Sequence, residues 1–264
     1  MATDLETVNI KALELLPALR EELGDVANGA PDEYLLRFLR WKPDVSRASE
    51  RFHAHIKWKE ANPGLFDETL RISDDPELER LLQSDVLVAP PGCQIKTGGP
   101  VLIGRLRNND MTDGRTVKGV CRMILYTMDR LLELPEMQVP GVTLVHDLKG
   151  IDRSKNLHVD VPKIVFGALI GNFPMRINGV YIWNAPFWFP TFFSVVSRIV
   201  LPKKVRQRVH FIDSLEELDE VMDRDLLLPE LGGKAEFSSS EWVEEQKQRE
   251  ENGTFVSMTT MENN

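Results

Sequence analysis

The chain has 264 residues, 42% of them hydrophobic and 28% charged, with a net charge of −9. That length and balance fit a soluble globular protein with a sizeable core. The acidic charge speaks against nucleic-acid binding and against permanent residence on an anionic membrane, but a local basic patch suffices for a transient one. The opening MATDLETVNI carries two acids and no apolar signal-peptide core, and no uncharged apolar window reaches about 18 residues. Cys93 and Cys121 lack metal or redox spacing. A cytoplasmic, reducing setting with free thiols is expected, without a metal or cofactor.

The first sixty-odd residues predict a small helical bundle. Leu13, Leu16 and Leu19 recur at helical spacing within residues 5–23, where Pro17 is expected to shorten or kink the helix. Pro31 and Asp32 suit the start of a second helix with Leu35, Leu36 and Leu39 on one face. Ser46 suits the cap of a third, running to Glu60 with Ala48, Phe52 and Ile56 inward, before Asn62, Pro63 and Gly64 stop it. His53 and His55 sit two apart on that helix, so they point to different faces and cannot share a metal.

Beyond residue 70, strands and helices alternate. A short helix is expected over 76–84, and strands over 86–88, 94–95 and 101–106, with Gly98 and Gly99 turning between the last two. A helix over 116–134 carries a stripe of Val120, Met123, Ile124 and Thr127; a buried strand follows at 142–146, a helix at 161–170 and a strand at 179–183. This order implies right-handed crossovers and an α/β lobe built on a largely parallel sheet. Residues 236–264 are polar and predict a helix over 242–250 followed by a disordered tail.

Catalytic motifs are missing. The chain has no GxxxxGK[ST], GxGxxG or GxSxG, and its carboxylates form no recognisable acid–base pair. His146 beside Asp147 reads as a strand end with local hydrogen bonds. Enzyme function is not expected.

The stretch NAPFWFPTFF, residues 184–193, is half aromatic, and no charge occurs between Phe187 and Ser197. As a helix over 187–200 it places Trp188, Phe192, Val195, Val196 and Ile199 on one stripe and Phe189, Phe193 and Val200 on the next. Such an apolar face is wider than covering a sheet requires. PKKVRQRV follows directly, with Lys203, Lys204, Arg206 and Arg208. Aromatics followed by cations are the composition of a surface that dips into a bilayer and meets anionic headgroups. Arg37, Arg40 and Lys42 form a second basic group expected near the first.

Five segments in order then resemble the CRAL-TRIO lipid-binding family, which includes tocopherol, retinaldehyde and phosphatidylinositol transfer proteins. They are YLLRFLRWKPDVSRA at 34–48, GPVLIGR at 99–105, EMQVPGVTLVHDLKGI at 136–151, FPMRINGVYIWNAPFWF at 173–189 and LPELGGKAEF at 228–237. The resemblance covers roughly residues 5–237. It implies a helical N-terminal domain at 1–65, a lipid-binding domain at 66–237 whose mostly parallel sheet floors an apolar cavity, and a polar tail at 238–264. It maps a mobile gate onto 187–200, with Phe187, Trp188, Phe189 and Val196 meeting the membrane. It places Cys121, Ile124, Met128, Val142, Ile151, Val165, Ala168, Leu169, Met175, Val180, Phe192 and Phe193 around the ligand.

Departures bear on the cargo. Two serines of the tocopherol proteins align with Ile124 and Met128, and an acidic residue and a threonine of the inositol-lipid carriers align with Met175 and Val205. Arg176 and Lys204 keep two charges of a phosphoinositide-reading cleft, while Asn178 replaces a third. Arg40, Arg176, Lys203, Lys204, Arg206 and Arg208 are thus the expected headgroup contacts. The expected function is cytosolic binding and transfer of a hydrophobic lipid between membranes, with transient contact to anionic surfaces, phosphoinositides among them. The alternative is a phosphoinositide-sensing adaptor whose tail recruits a protein partner.

Overall fold

The computed structural model describes residues 5–65 and 70–253. Helices α1 (Leu5–Leu23), α2 (Asp32–Trp41) and α3 (Val45–Ala61) pack on one another. Pro17 does not shorten α1, which continues past it to Leu23. Ala12, Leu16, Leu19 and Leu23 are buried within the same core as α2 and α3, and that burial outweighs the roughly 3 kcal/mol a helical proline costs. Helix α3 is capped two residues earlier than expected, by Asp44, whose carboxylate accepts the Arg47 N–H at 2.9 Å. Its buried face is Ala48, Phe52 and His55, with Ile56 only partly covered and His53 outside.

The remainder runs α4 (Pro76–Leu82), β1 (Leu87–Val88), β2 (Val101–Arg105), α5 (Val117–Leu131), α6 (Pro135–Gln138), β3 (Val142–Asp147), α7 (Arg153–Asn156), α8 (Asp160–Asn172), β4 (Ile177–Trp183), α9 (Phe189–Val200), α10 (Lys203–Arg206), β5 (Val209–Phe211) and α11 (Ser239–Glu251). The five strands lie in chain order, and only β1 is antiparallel. Gln94 and Ile95 form isolated bridges to Pro100 and Met222 rather than a strand. The Gly98–Gly99 turn does close there, and at Gly99, φ +103°, a Cβ would lie 2.5 Å from the Gly141 carbonyl.

Strand alternation gives the sheet two faces. Val101, Ile103 and Val145 face outward and are covered by Leu218, Met222, Leu227 and Leu231 of the returning C-terminal segment. Leu102, Leu144, Val180 and Ile182 face inward with the helices.

Buried charges fix α5 to its neighbours. Asp129 pairs with Arg37 of α2 at 2.9 Å and with Arg130 at 2.6 Å, all three nearly inaccessible; Arg130 also reaches Glu133, which Arg249 of α11 contacts. The Glu250 carboxylate accepts from the Tyr126 hydroxyl at 2.8 Å and the Ile72 N–H at 3.0 Å. Helix α11 therefore starts earlier than the sequence suggests and is docked, burying Val243. The disordered tail expected after residue 253 lies outside the described residues, as do residues 66–69, where the first expected domain boundary falls.

Candidate functional site

Helices α5, α8 and α9 do not meet the inward face of the sheet everywhere. Between them lies a cavity of about 230 Å³, well over ten times the roughly 10–15 Å³ that one water needs. Its walls follow from periodicity. Alternate residues of β3 supply Val142, Leu144 and His146; β4 supplies Val180 and Ile182; one stripe of α8 supplies Val161, Val165 and Leu169; α5 supplies Ile124 and Met128. No Lys, Arg, Asp or Glu lines it among the described residues.

Nine of the expected lining residues are on these walls: Ile124, Met128, Val142, Val165, Leu169, Met175, Val180, Phe192 and Phe193. Three are not. Cys121 and Ala168 are wholly buried in the packing of α8 against its neighbours, which leaves no free volume beside them. Burial and the nearby Asp160 carboxylate push the Cys121 thiol up to about 12. Ile151 packs in the loop after β3, whose N–H bonds the Leu148 carbonyl. Sequence reasoning missed Phe166, Ser197, Leu201 and Val209, and above all His146. The hydrogen bonds expected of His146 belong instead to Asp147, which accepts from Asn184 at 2.7 Å and the Lys149 N–H at 3.0 Å and pairs with Arg107. These bonds outweigh burial and hold the Asp147 carboxyl below its ordinary range.

Helix α9 closes one side. It begins at Phe189, so Phe187 and Trp188 precede it in a turn. The two stripes expected of it regroup: Phe189, Phe192, Phe193, Val196 and Val200 turn to the cavity, while Val195 and Ile199 turn out. Phe189 stacks on Phe193, and both rings touch Phe211 of β5. Outside, Phe187 is 94% exposed and Ile199 78%. Val159, also exposed, stands at the opposite rim. The helix thus turns an apolar face to the void, while its solvent side mixes the exposed Val195 and Ile199 with Thr191, Ser194 and Arg198.

A second hollow, about 390 Å³, is the larger by volume but lies on the other face of the sheet, among Thr97, Thr143, Arg176, Asn178 and Tyr181. Its polar walls and openness fit water better than hydrocarbon. Arg176 donates to the Trp41 carbonyl there, and Arg208 to the Ile177 carbonyl. Burial, then the charge of Arg208, lowers the Arg176 pKa. Lys203 and Lys204 are exposed on α10, directly after α9, and Arg206 is half-exposed. Arg40 is not available to a headgroup: it is buried and holds Asn9, Glu33 and Gln138. Arg37 is likewise spent on Asp129. The two arginines of the second basic group expected from the sequence are therefore structural, while its Lys42 is exposed.

Among the described residues, no three His, Cys, Asp or Glu side chains cluster to hold a metal, and no helix is long and apolar enough to cross a membrane.

Residues 95–233 match the family model described as the CRAL/TRIO domain. The chain is 28% identical over 234 residues to the human protein named alpha-tocopherol transfer protein-like, covering 85% of this chain and 65% of the relative. It is 31% identical over 205 residues to rat tyrosine-protein phosphatase non-receptor type 9, covering 76% of this chain and 32% of that protein. It is 25% identical over 209 residues to clavesin-1 of Xenopus laevis, covering 76% and 60%. The chain thus spans at most about two thirds of the length of these relatives. Among solved structures, that of Sfh5 superimposes with a TM-score of 0.52 at 14% identity, covering 83% of this chain and 85% of the other; this shows a shared fold. With the family model spanning more than half of the sequence, and the mixed sheet and helical layers in place, the chain belongs to the CRAL/TRIO domain family.

Proposed function

We propose that this protein binds one hydrophobic lipid in the α5–α8–α9 cavity and transfers it between membranes, with α9 as the gate. The observation that carries this reading is an uncharged, apolar-walled cavity beneath a helix that also exposes Val195 and Ile199, with Phe187 exposed just before it. Burying a lipid chain there is favourable by about 25 cal/mol per Å² of apolar surface. Exposing Phe187, Val195 and Ile199 to water has no such return in a protein that only folds, but it does when they enter a bilayer interface. Lys203, Lys204, Arg206 and Arg208 follow the gate and suit the anionic headgroups around it. The protein would work in the cytoplasm, peripheral to membranes during exchange, with α1–α3 as a helical domain packed on the lipid-binding lobe. The names of the tocopherol transfer-like relatives agree with this reading. In the adaptor alternative the segment from residue 238 recruits a partner; its helix α11 is instead docked through Glu250 and Val243.

The test is vesicle-to-vesicle transfer of a fluorescent lipid by the wild-type chain and by a Phe187→Glu, Ile199→Glu variant. Both side chains are exposed, so the variant is expected to fold with unchanged thermal stability and to lose most of its transfer rate. Full transfer by the variant would remove α9 from the mechanism. No transfer by the wild type, with no lipid retained in native mass spectrometry, would end the carrier reading.

A further inference from the structure

The cavity holds one side chain out of keeping with its walls. His146 lies in the inward row of the sheet, between Gly104 of β2 and Ile182 of β4. Its ring packs over Gly104, where an added Cβ would meet Nδ1 at 2.2 Å. Gly104 makes room by lacking a side chain. Nδ1 is buried and has no hydrogen-bond partner among the described residues. The residue keeps some accessible surface and lines the cavity, and burial lowers its pKa to about 4. The imidazole is therefore neutral at pH 7. A buried N–H without a partner is rarer than a buried lone pair. With Nδ1 shut in, the favoured tautomer carries its hydrogen on Nε2, where the cavity offers the only space for a partner.

The other polar side chains in the wall are accounted for differently. The Asn109 and Asn156 amides bond each other's backbone carbonyls, at 3.2 and 3.3 Å. His158 is half-exposed at the rim beside Asp160. Ser197 looks in from the lid. An ionised headgroup carried inside would find no counter-charge, because no cation lines the cavity among the described residues. The α5 positions that line it, Ile124 and Met128, offer no hydrogen bond.

We infer that His146 is the polar anchor of the cavity, and that the cargo is a neutral lipid whose hydroxyl or carbonyl oxygen accepts a hydrogen bond from Nε2. The inference rests on the carrier reading and narrows it. It excludes free fatty acids and phospholipids seated headgroup-first, and it leaves hydrocarbons without an oxygen as weak ligands.

The test loads the full chain from phosphatidylcholine vesicles containing hexadecanol and hexadecane in equal amounts, with palmitate in a parallel set. Protein-bound lipid is measured by mass spectrometry for the wild type, His146→Leu and Ser197→Ala. The alcohol-to-alkane ratio is expected to fall roughly three- to tenfold in His146→Leu, the worth of one hydrogen bond, to hold in Ser197→Ala, and palmitate is expected to load least. An unchanged ratio in His146→Leu, with both probes still bound, overturns the anchor and leaves the carrier standing. So does a ratio that falls in Ser197→Ala instead. If the wild type takes up none of the probes, the carrier reading fails and the anchor with it. Should His146→Leu not fold, ¹⁵N NMR of histidine-labelled wild type decides: the His146 Nε2 signal is expected to shift with hexadecanol and not with hexadecane, and no shift with hexadecanol overturns the proposal.

Discussion

Helices α5 and α9 both wall the cavity, yet they are held in opposite ways. Behind α5, Asp129, Arg130 and Tyr126 are buried and tied to α2, α11 and the loop at Ile72. The outer side of α9 faces solvent, with Val195 and Ile199 exposed, while its inner side rests on ring contacts with Phe211 and on α8, and the Arg153 guanidinium lies over the Phe192 ring. Breaking the first arrangement strands buried charge; sliding the second exchanges one apolar contact for another. In the function proposed above, α5 belongs to the fixed frame and α9 is the part that moves.

The largest effect is expected on the fixed side. Asp129→Ala leaves Arg37 and Arg130 buried beside each other and is expected to cost about 3–5 kcal/mol, read by denaturant unfolding. A loss under about 1 kcal/mol would mean the network does not hold the frame. His55, packed against Phe38 and Phe173 in the same region, sharpens the picture through pH. Burial, then the charge of Lys59, lowers its pKa to about 3. Above about pH 6.5 it is neutral folded and unfolded and contributes nothing. Below that value the unfolded chain takes up a proton that the folded one refuses down to about pH 3, so stability falls as pH falls, by about 1.4 kcal/mol per unit. His55→Phe is expected to flatten the stability–pH slope between 6.5 and 4 by that amount, and an unchanged slope contradicts it. The smallest effect belongs to the lid's basic flank. Lys203→Glu with Lys204→Glu is expected to weaken binding to anionic vesicles by about 1 kcal/mol or more for each cation lost, most clearly at low salt. Unchanged sedimentation with such vesicles removes the cluster from the mechanism.

Much of this fold was legible in the sequence because periodicity reports burial. The β3 and β4 runs, the α5 stripe and the turn at Gly98–Gly99 all stand where alternation and turn chemistry place them. The misses have physical reasons. Pro17 sits in a helix because burial of Leu16 and Leu19 overrides local propensity. Gln94–Ile95 lacks a strand because only single bridges form there. In the site, a lining residue and a core residue look alike in sequence, so Cys121 and Ala168 were indistinguishable from Ile124 and Val165. The ion pair of Arg37 with Asp129 and the hydrogen bond of Arg40 to Gln138 join residues more than ninety positions apart, and charge spacing along one helix cannot show that. The role of His146 depends on a glycine one strand away, a pairing visible only once the register is known.

The most direct test of a fixed frame and a moving lid is hydrogen exchange followed by mass spectrometry, reading peptides from α5 and α9 in one experiment with and without phosphatidylcholine vesicles. The account predicts faster exchange in α9 than in α5 throughout, with a further rise in α9 alone when vesicles are present. Equal exchange in the two helices, unaltered by vesicles, would contradict it.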